Sequence, residues 1–149
     1  KPPGKNGRTF KTSTRIRCGI GAGRQMIEKM AYSITIGEFK GESDGFPQAE
    51  TVEHENAPAD GVPTDRTNQR WPSYSGWADF VDDTGLSGLF AELMPGHPGF
   101  CKIERRHLDA INAVDTTALP KHHAVRMVWL KYWMDWALVN CKNPVIINT

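Results

Sequence analysis

Long apolar runs are missing from this sequence of 149 residues. No stretch approaches the roughly 18 to 20 consecutive apolar residues that a membrane-spanning helix needs. Residues 1–11 are polar and no apolar core follows them, which argues against a secretory signal peptide. A chain of this length fits one domain with its own core. We therefore expect a soluble intracellular protein with no membrane contact.

Cysteine is scarce, with three residues at positions 18, 101 and 141. An odd, widely spaced set is not typical of a secreted disulfide framework, and the absence of a CxxC pair argues against a zinc knuckle. A free cysteine behaves as a small hydrophobic residue. The sequence therefore predicts three buried free thiols.

Motifs that would name a reaction are also missing. The glycines between Gly19 and Gly23 resemble a phosphate-binding turn, but Arg24 stands where the dinucleotide fingerprint needs glycine, and no Gly-Lys-Ser/Thr ending follows. His97, Cys101 and His107 have a spacing that a metal site or a cysteine enzyme would also tolerate. A tight turn with a core-edge histidine explains them more simply. We expect no catalytic residue, no cofactor and no metal, and keep an enzyme around these three residues as the third alternative.

Charge is distributed unevenly along the chain. Residues 1–29 carry eight basic side chains against one acidic, and residues 38–65 carry eight acidic against one basic. The first segment supplies candidate phosphate contacts at Lys11, Arg15, Arg17 and Arg24. The acidic segment competes for the same cations, so we expect the two to neutralise each other. Nucleic-acid or virion structural binding is the second alternative.

The first half of the chain predicts a small sheet. Residues 1–8 are rich in Pro, Gly and Lys and predict a flexible basic arm. Alternating patterns at 9–18 and 31–38 predict two strands that pair through the intervening turn. Residues 40–70 lack apolar periodicity and predict a long acidic loop. Residues 9–149 are then a single domain.

The second half predicts four helices from residue 73 onward. Ser73 or Ser75 is a suitable N-cap, and Gly85 is placed to end the first helix. Further helices are expected at about 86–94, 102–114 and 122–140, with a turn at 95–99. Pro144 stops the fourth helix, and 145–148 is a candidate third strand. The whole pattern predicts an α+β fold in which an antiparallel sheet packs against the helices.

Aromatic residues dominate the predicted fourth helix. Trp133 and Trp136 fall on its apolar face and predict at least one core anchor. The apolar arc is wider than one neighbouring element needs. We therefore predict that part of it serves a protein interface, with the candidates Trp129, Leu130, Tyr132 and Trp133.

The runs WPSYSGWADFVDDTGLSGLF, HPGF and KYWMDWALVNCKNPVI in the C-terminal half resemble small uncharacterised proteins of tailed phages and prophages. The resemblance implies a viral or mobile-element origin but no activity and no catalytic residues. Small proteins of that kind commonly bind host proteins. The expected function is therefore a non-enzymatic binding protein whose partner is a host or viral protein, with homo-oligomerisation as an option. The expected location is the host cytoplasm, or the virion if the protein is structural.

Overall fold

The computed structural model describes residues 17–20, 31–59 and 64–149. Within these ranges the chain forms an antiparallel sheet and four α-helices, which confirms the α+β class. The elements in chain order are β1 (Gly19–Ile20), β2 (Ile34–Ser43), β3 (Phe46–Ala49), β4 (Gln69–Arg70), α1 (Tyr74–Thr84), α2 (Ser87–Leu93), β5 (Gly99–Lys102), α3 (Arg105–Asn112), a 3₁₀ turn (Thr116–Ala118), α4 (Lys121–Asn140) and β6 (Pro144–Asn148).

The sheet has the strand order β1-β5-β6-β2-β3, and β4 pairs with the start of β2. Strand β6 lies at its centre, where Ile146 is opposite Ile36 of β2 on one side and Cys101 of β5 on the other. All five residues of β6 are buried. The predicted strand at 145–148 is therefore confirmed.

Only the end of the first predicted strand lies within the described residues. Residues 1–16, which include the expected basic arm, lie outside the described residues. Where the description begins, the Arg17 carbonyl accepts a hydrogen bond from the Lys102 N–H at 3.0 Å, and β1 pairs with β5. Strand β1 itself does not pair with β2, because β6 and β5 separate the two. Most of the predicted strand at 9–18 lies outside the described residues, so its pairing with the 31–38 strand stays a prediction.

The predicted loop at 40–70 is wrong over its first third. Strand β2 continues to Ser43 and turns back into β3 through Asp44 and Gly45, whose φ angles are 54° and 82°. Positive φ at both central residues is the two-residue turn that matches strand twist in a hairpin. Glu38 in β2 also has partners, since its carboxylate accepts hydrogen bonds from the Lys142 N–H at 2.7 Å and the Asn143 N–H at 3.0 Å.

The helix boundaries follow local signals. The Ser73 hydroxyl accepts a hydrogen bond from the Gly76 N–H at 3.0 Å, and Gly85 ends α1 with φ 73°, both as predicted. The third helix begins at Arg105 and not at Lys102, because residues 99–102 form β5. The fourth helix begins at Lys121, and seven of its twenty residues are buried along one side.

Helices cover one face of the sheet. Ile34, Ile36 and Ile146 pack there in a core shared with all four helices. The opposite face carries a smaller cluster of Phe39, Val145 and Ile147. The Phe39 ring stacks on Phe100 with centroids 4.9 Å apart. This two-sided burial makes β6 a core element and fixes the position of α4 above it.

Candidate functional site

Three of the four predicted interface residues are core residues. Trp129, Leu130 and Trp133 are each at most 1% exposed. The Trp129 Nε1–H donates to the Thr67 carbonyl at 3.0 Å, so the segment before β4 covers this side of α4. A partner cannot reach these three side chains in the folded chain. Their assignment to an interface is wrong, and the burial of Trp133 confirms the predicted core anchor.

Tyr132, the fourth candidate, lies at the surface boundary. It is half-buried, and its hydroxyl lies 3.0 Å from the His54 Nδ1. The His54 ring also packs on Trp133 and Trp136, with centroids 4.8 Å and 5.2 Å away. The 52–57 segment therefore supports one flank of α4 and fixes Tyr132.

The outward side of α4 carries a different set of residues. Val128 and Val139 are 54% and 73% exposed, and they are two of the four large exposed hydrophobic residues in the described chain. They belong to a row with spacings of three, four, three and four residues, which we call the α4 seam: Val125, Val128, Tyr132, Asp135 and Val139. This spacing keeps side chains on one side of a helix and is typical of helix–helix contacts.

A groove runs beside the seam, between α3 and α4. Its volume is about 460 Å³. Leu108 and Trp136 form part of its floor, and Val139 lies at its rim. Lys131 and Asp135 add one charge of each sign, and the Arg105 guanidinium lies 4.0 Å from the Asp135 carboxylate. We call this the α3–α4 groove.

The predicted set His97, Cys101 and His107 does not form one site. Cys101 is fully buried and bonded to Cys18, so it is neither a free thiol nor a nucleophile. This corrects the expectation of three free cysteines, because Cys141 alone of the three is free. His107 binds Glu92, while His97 binds Tyr74 and Asn148. Within the described ranges, no group of three His, Cys, Asp or Glu side chains could hold a metal ion.

His97 is the centre of a polar chain drawn from separate segments. Its Nε2 lies 2.9 Å from the Tyr74 hydroxyl, and its Nδ1 lies 3.0 Å from the Asn148 Oδ1. An amide that orients an imidazole toward a hydroxyl is suited to proton transfer. The Tyr32 ring packs against the rings of Tyr74 and His97. Burial, with a smaller contribution from Tyr74, raises the pKa of the Tyr32 phenol. The same contacts also give hydrogen-bond partners to the side chains of Tyr74, His97 and Asn148, so they do not by themselves define a reaction.

A second polar cluster joins α2 to α3. The His107 Nδ1 accepts a hydrogen bond from the Glu104 N–H at 2.9 Å, so the proton of this buried ring lies on Nε2 and points at the Glu92 carboxylate, 3.1 Å away. Arg106 donates to both Glu92 oxygens. The hydrogen bonds from Arg106 and then His107 lower the pKa of Glu92 to about 2.

This cluster gives a pH-dependent contribution to stability. Because the folded pKa of Glu92 lies below its ordinary 4.5, the contribution is complete above about pH 4.5 and is lost as the pH falls toward 2. We expect Glu92→Gln to lower the urea midpoint at pH 6 to 7 and to differ less from the parent near pH 2.5. Urea melts at both pH values measure this, and a difference that does not change with pH would contradict it.

The nucleic-acid candidates are mostly beyond the described part. Lys11, Arg15 and Arg24 lie outside it, and Arg17 is an exposed residue at its edge. The acidic segment has several local partners, such as Arg70 at 3.3 Å from Asp65. No continuous basic face can therefore be assigned from the described residues.

Comparisons of the chain with known protein families, with characterised proteins and with solved structures found no match. None of the helices in the described ranges is long and apolar enough to cross a membrane.

Proposed function

We propose that this chain is a non-enzymatic protein-binding module that docks a helical segment on the α4 seam. An origin in a phage or mobile element, with a host or viral protein as a target, belongs to the same proposal. The α4 seam is the observation that carries it.

Exposure and spacing support docking at the seam. The exposed apolar residues Val128 and Val139 lie on one side of a twenty-residue helix whose opposite side is buried. Amphipathic helices bind such surfaces through anchors at spacings of three, four and seven residues. A row with this spacing therefore matches the periodicity of a partner helix and not that of a strand.

The α3–α4 groove also supports the docking of a helical segment at the seam. Its 460 Å³ is large enough to take one or two anchoring side chains. Lys131 and Asp135 at the groove can orient a partner through charge without adding much affinity, since exposed pairs contribute little.

The support beneath the seam is rigid. Trp133, Met134 and Ala137 lie on the inward side of α4, and each is fully buried. Trp129 and Tyr132 are tied by hydrogen bonds to the chain segments before β4 and after β3. A preformed surface loses little conformational entropy on binding, which favours affinity.

The proposal predicts that one carboxylate on the seam abolishes capture. Val139→Asp places a charge in the apolar contact and should reduce capture of partner protein about tenfold or more. Ile20→Asp is the matched control, because Ile20 is 66% exposed but lies in β1, away from α4. Quantitative mass spectrometry of proteins captured from host lysate by the parent, Val139→Asp and Ile20→Asp measures the effect.

Two results would contradict the proposal. One is that the parent enriches no protein over bait-free resin. The other is that Val139→Asp captures the same proteins in the same amounts as the parent. In either case the seam is a solvent-exposed helix face that binds no partner. Nucleic-acid binding then becomes the favoured function.

The proposal also predicts weak binding of nucleic acid. If the basic residues 1–29 and acidic residues 38–65 neutralise each other, the chain presents no extended positive field. Each phosphate contact releases counterions, so a free basic segment would give affinity that falls steeply with salt. A salt titration with random duplex and single-stranded oligonucleotides tests this. Binding at about micromolar strength or tighter in physiological salt, with a log–log slope steeper than about −3, would overturn the prediction.

A further inference from the structure

We infer that the helix that fits the α4 seam is α4 of a second copy of this chain, packed antiparallel about a two-fold axis that crosses the seam at the level of residues 133 and 134. The inference rests on the proposed function, since it names the occupant of the same surface. It follows from the positions of the two exposed valines and of the charges along the seam.

The two exposed valines of the seam are equidistant from this axis. Val128 and Val139 are eleven residues apart, which is about 16 Å along a helix and within about 20° of three whole turns. In an antiparallel pair centred between residues 133 and 134, Val128 lies opposite the partner's Val139. Because the pair is isologous, the same contact forms twice. Both valines, 54% and 73% exposed in one copy, then gain an apolar neighbour.

Charges near the axis complement each other in the same arrangement. Lys131 and Asp135 lie on either side of the axis, so each Lys131 approaches the partner's Asp135, and two such pairs form. A parallel pairing would instead place the two copies of Lys131 on opposite flanks of the seam, and the two copies of Asp135 likewise, so neither residue meets an opposite charge at this position. Opposite charges at these positions therefore meet only in the antiparallel arrangement, which favours it.

The interface is expected to be small. One helix face from each copy buries less than the roughly 1,200 Å² typical of stable complexes. We therefore expect a dissociation constant of about 10 to 100 µM and not a permanent dimer. A weak dimer of this kind can also give way to a tighter heterologous partner on the same seam.

Charge exchange tests the inference directly. We would measure self-association of the parent, Lys131→Glu, Asp135→Lys and the double variant by sedimentation velocity from about 5 to 500 µM. Each single variant places like charges together and should weaken the dimer about tenfold or more. The double variant restores two opposite pairs and should return to within about threefold of the parent. Ile20→Asp should dimerise like the parent, and circular dichroism melts confirm that each variant is folded.

The outcomes separate this inference from the function it rests on. A parent that stays monomeric at about 500 µM, or a double variant as weak as the single ones, overturns self-pairing. If Val139→Asp still loses captured protein in either case, the proposed function stands with a different occupant. If charge exchange restores the dimer, self-pairing is supported. If Val139→Asp then leaves the capture of other proteins unchanged, the proposal that the seam binds a foreign protein is overturned.

Discussion

Trp133→Ala is expected to lower the free energy of unfolding by about 3 to 5 kcal/mol, a large share of the stability of a domain of this size. Trp133 is fully buried, and its ring packs on His54, Tyr132 and Trp136 with centroids 4.8 to 5.4 Å away. Alanine would leave a cavity that the surrounding rings can fill only in part. Urea unfolding followed by circular dichroism measures the loss.

Two variants calibrate this result. The Trp133 Nε1 has no hydrogen-bond acceptor among the described residues, so Trp133→Phe loses volume but no hydrogen bond and should cost clearly less than alanine. Trp136 is half-buried, so Trp136→Ala should fall between the parent and Trp133→Ala. If Trp133→Ala and Trp136→Ala both stay within about 0.5 kcal/mol of the parent, α4 does not pack as described.

Asn68→Ala is expected to cost about 3 kcal/mol or more, although it removes little apolar volume. The fully buried Asn68 side chain donates to the Ile36 and Glu50 carbonyls and accepts from the Val52 N–H, each at 2.8 Å. It thus bridges the gap between β3 and β4 along the edge of β2. Each buried backbone group left without a partner costs about 1 to 3 kcal/mol.

Asn68→Asp sharpens the test because it keeps the shape of the side chain. The carboxylate still accepts from Val52 but turns a second oxygen toward two carbonyl oxygens, so it should destabilise at least as much as alanine at neutral pH. Asn140→Ala is the control, since the Asn140 amide donates to the Trp136 carbonyl at an exposed position. Urea melts that place Asn68→Ala and Asn140→Ala within about 0.5 kcal/mol of each other would refute the bridging role.

Sequence patterns predict the parts of this fold that local chemistry determines. Ser73 and Gly85 bound α1, and Pro144 separates α4 from β6, because caps and proline act through neighbouring backbone groups. Strand β5 was missed because its four residues become a strand only by pairing with β6, more than forty residues away in sequence. The turn at Asp44 and Gly45 did carry a local signal, since Asp-Gly favours a two-residue hairpin turn. The acidic composition of residues 38–65 and the proline at position 47 favoured a loop over a hairpin.

The candidate site was harder to predict than the fold. Periodicity finds the apolar side of a helix when polar residues fill the other side, but both sides of α4 carry apolar residues. Trp129 and Trp133 face inward, and the smaller Val128 and Val139 face out. Residues 50–59 and 64–70 are likewise held by Asn68 and other hydrogen bonds, which leave no hydrophobic pattern in the sequence.

The central position of β6 sets the order in which this chain can fold. Its partners Ile36 and Cys101 precede Ile146 by 110 and 45 residues, so the middle of the sheet closes only through contacts that are distant in sequence. During synthesis, β2 and β5 emerge from the ribosome well before the strand that fills the space between them. Until residues 144–148 arrive, each presents an unpaired edge that can join another nascent chain. Refolding should consequently be slower than for a helical protein of equal length, and sensitive to protein concentration.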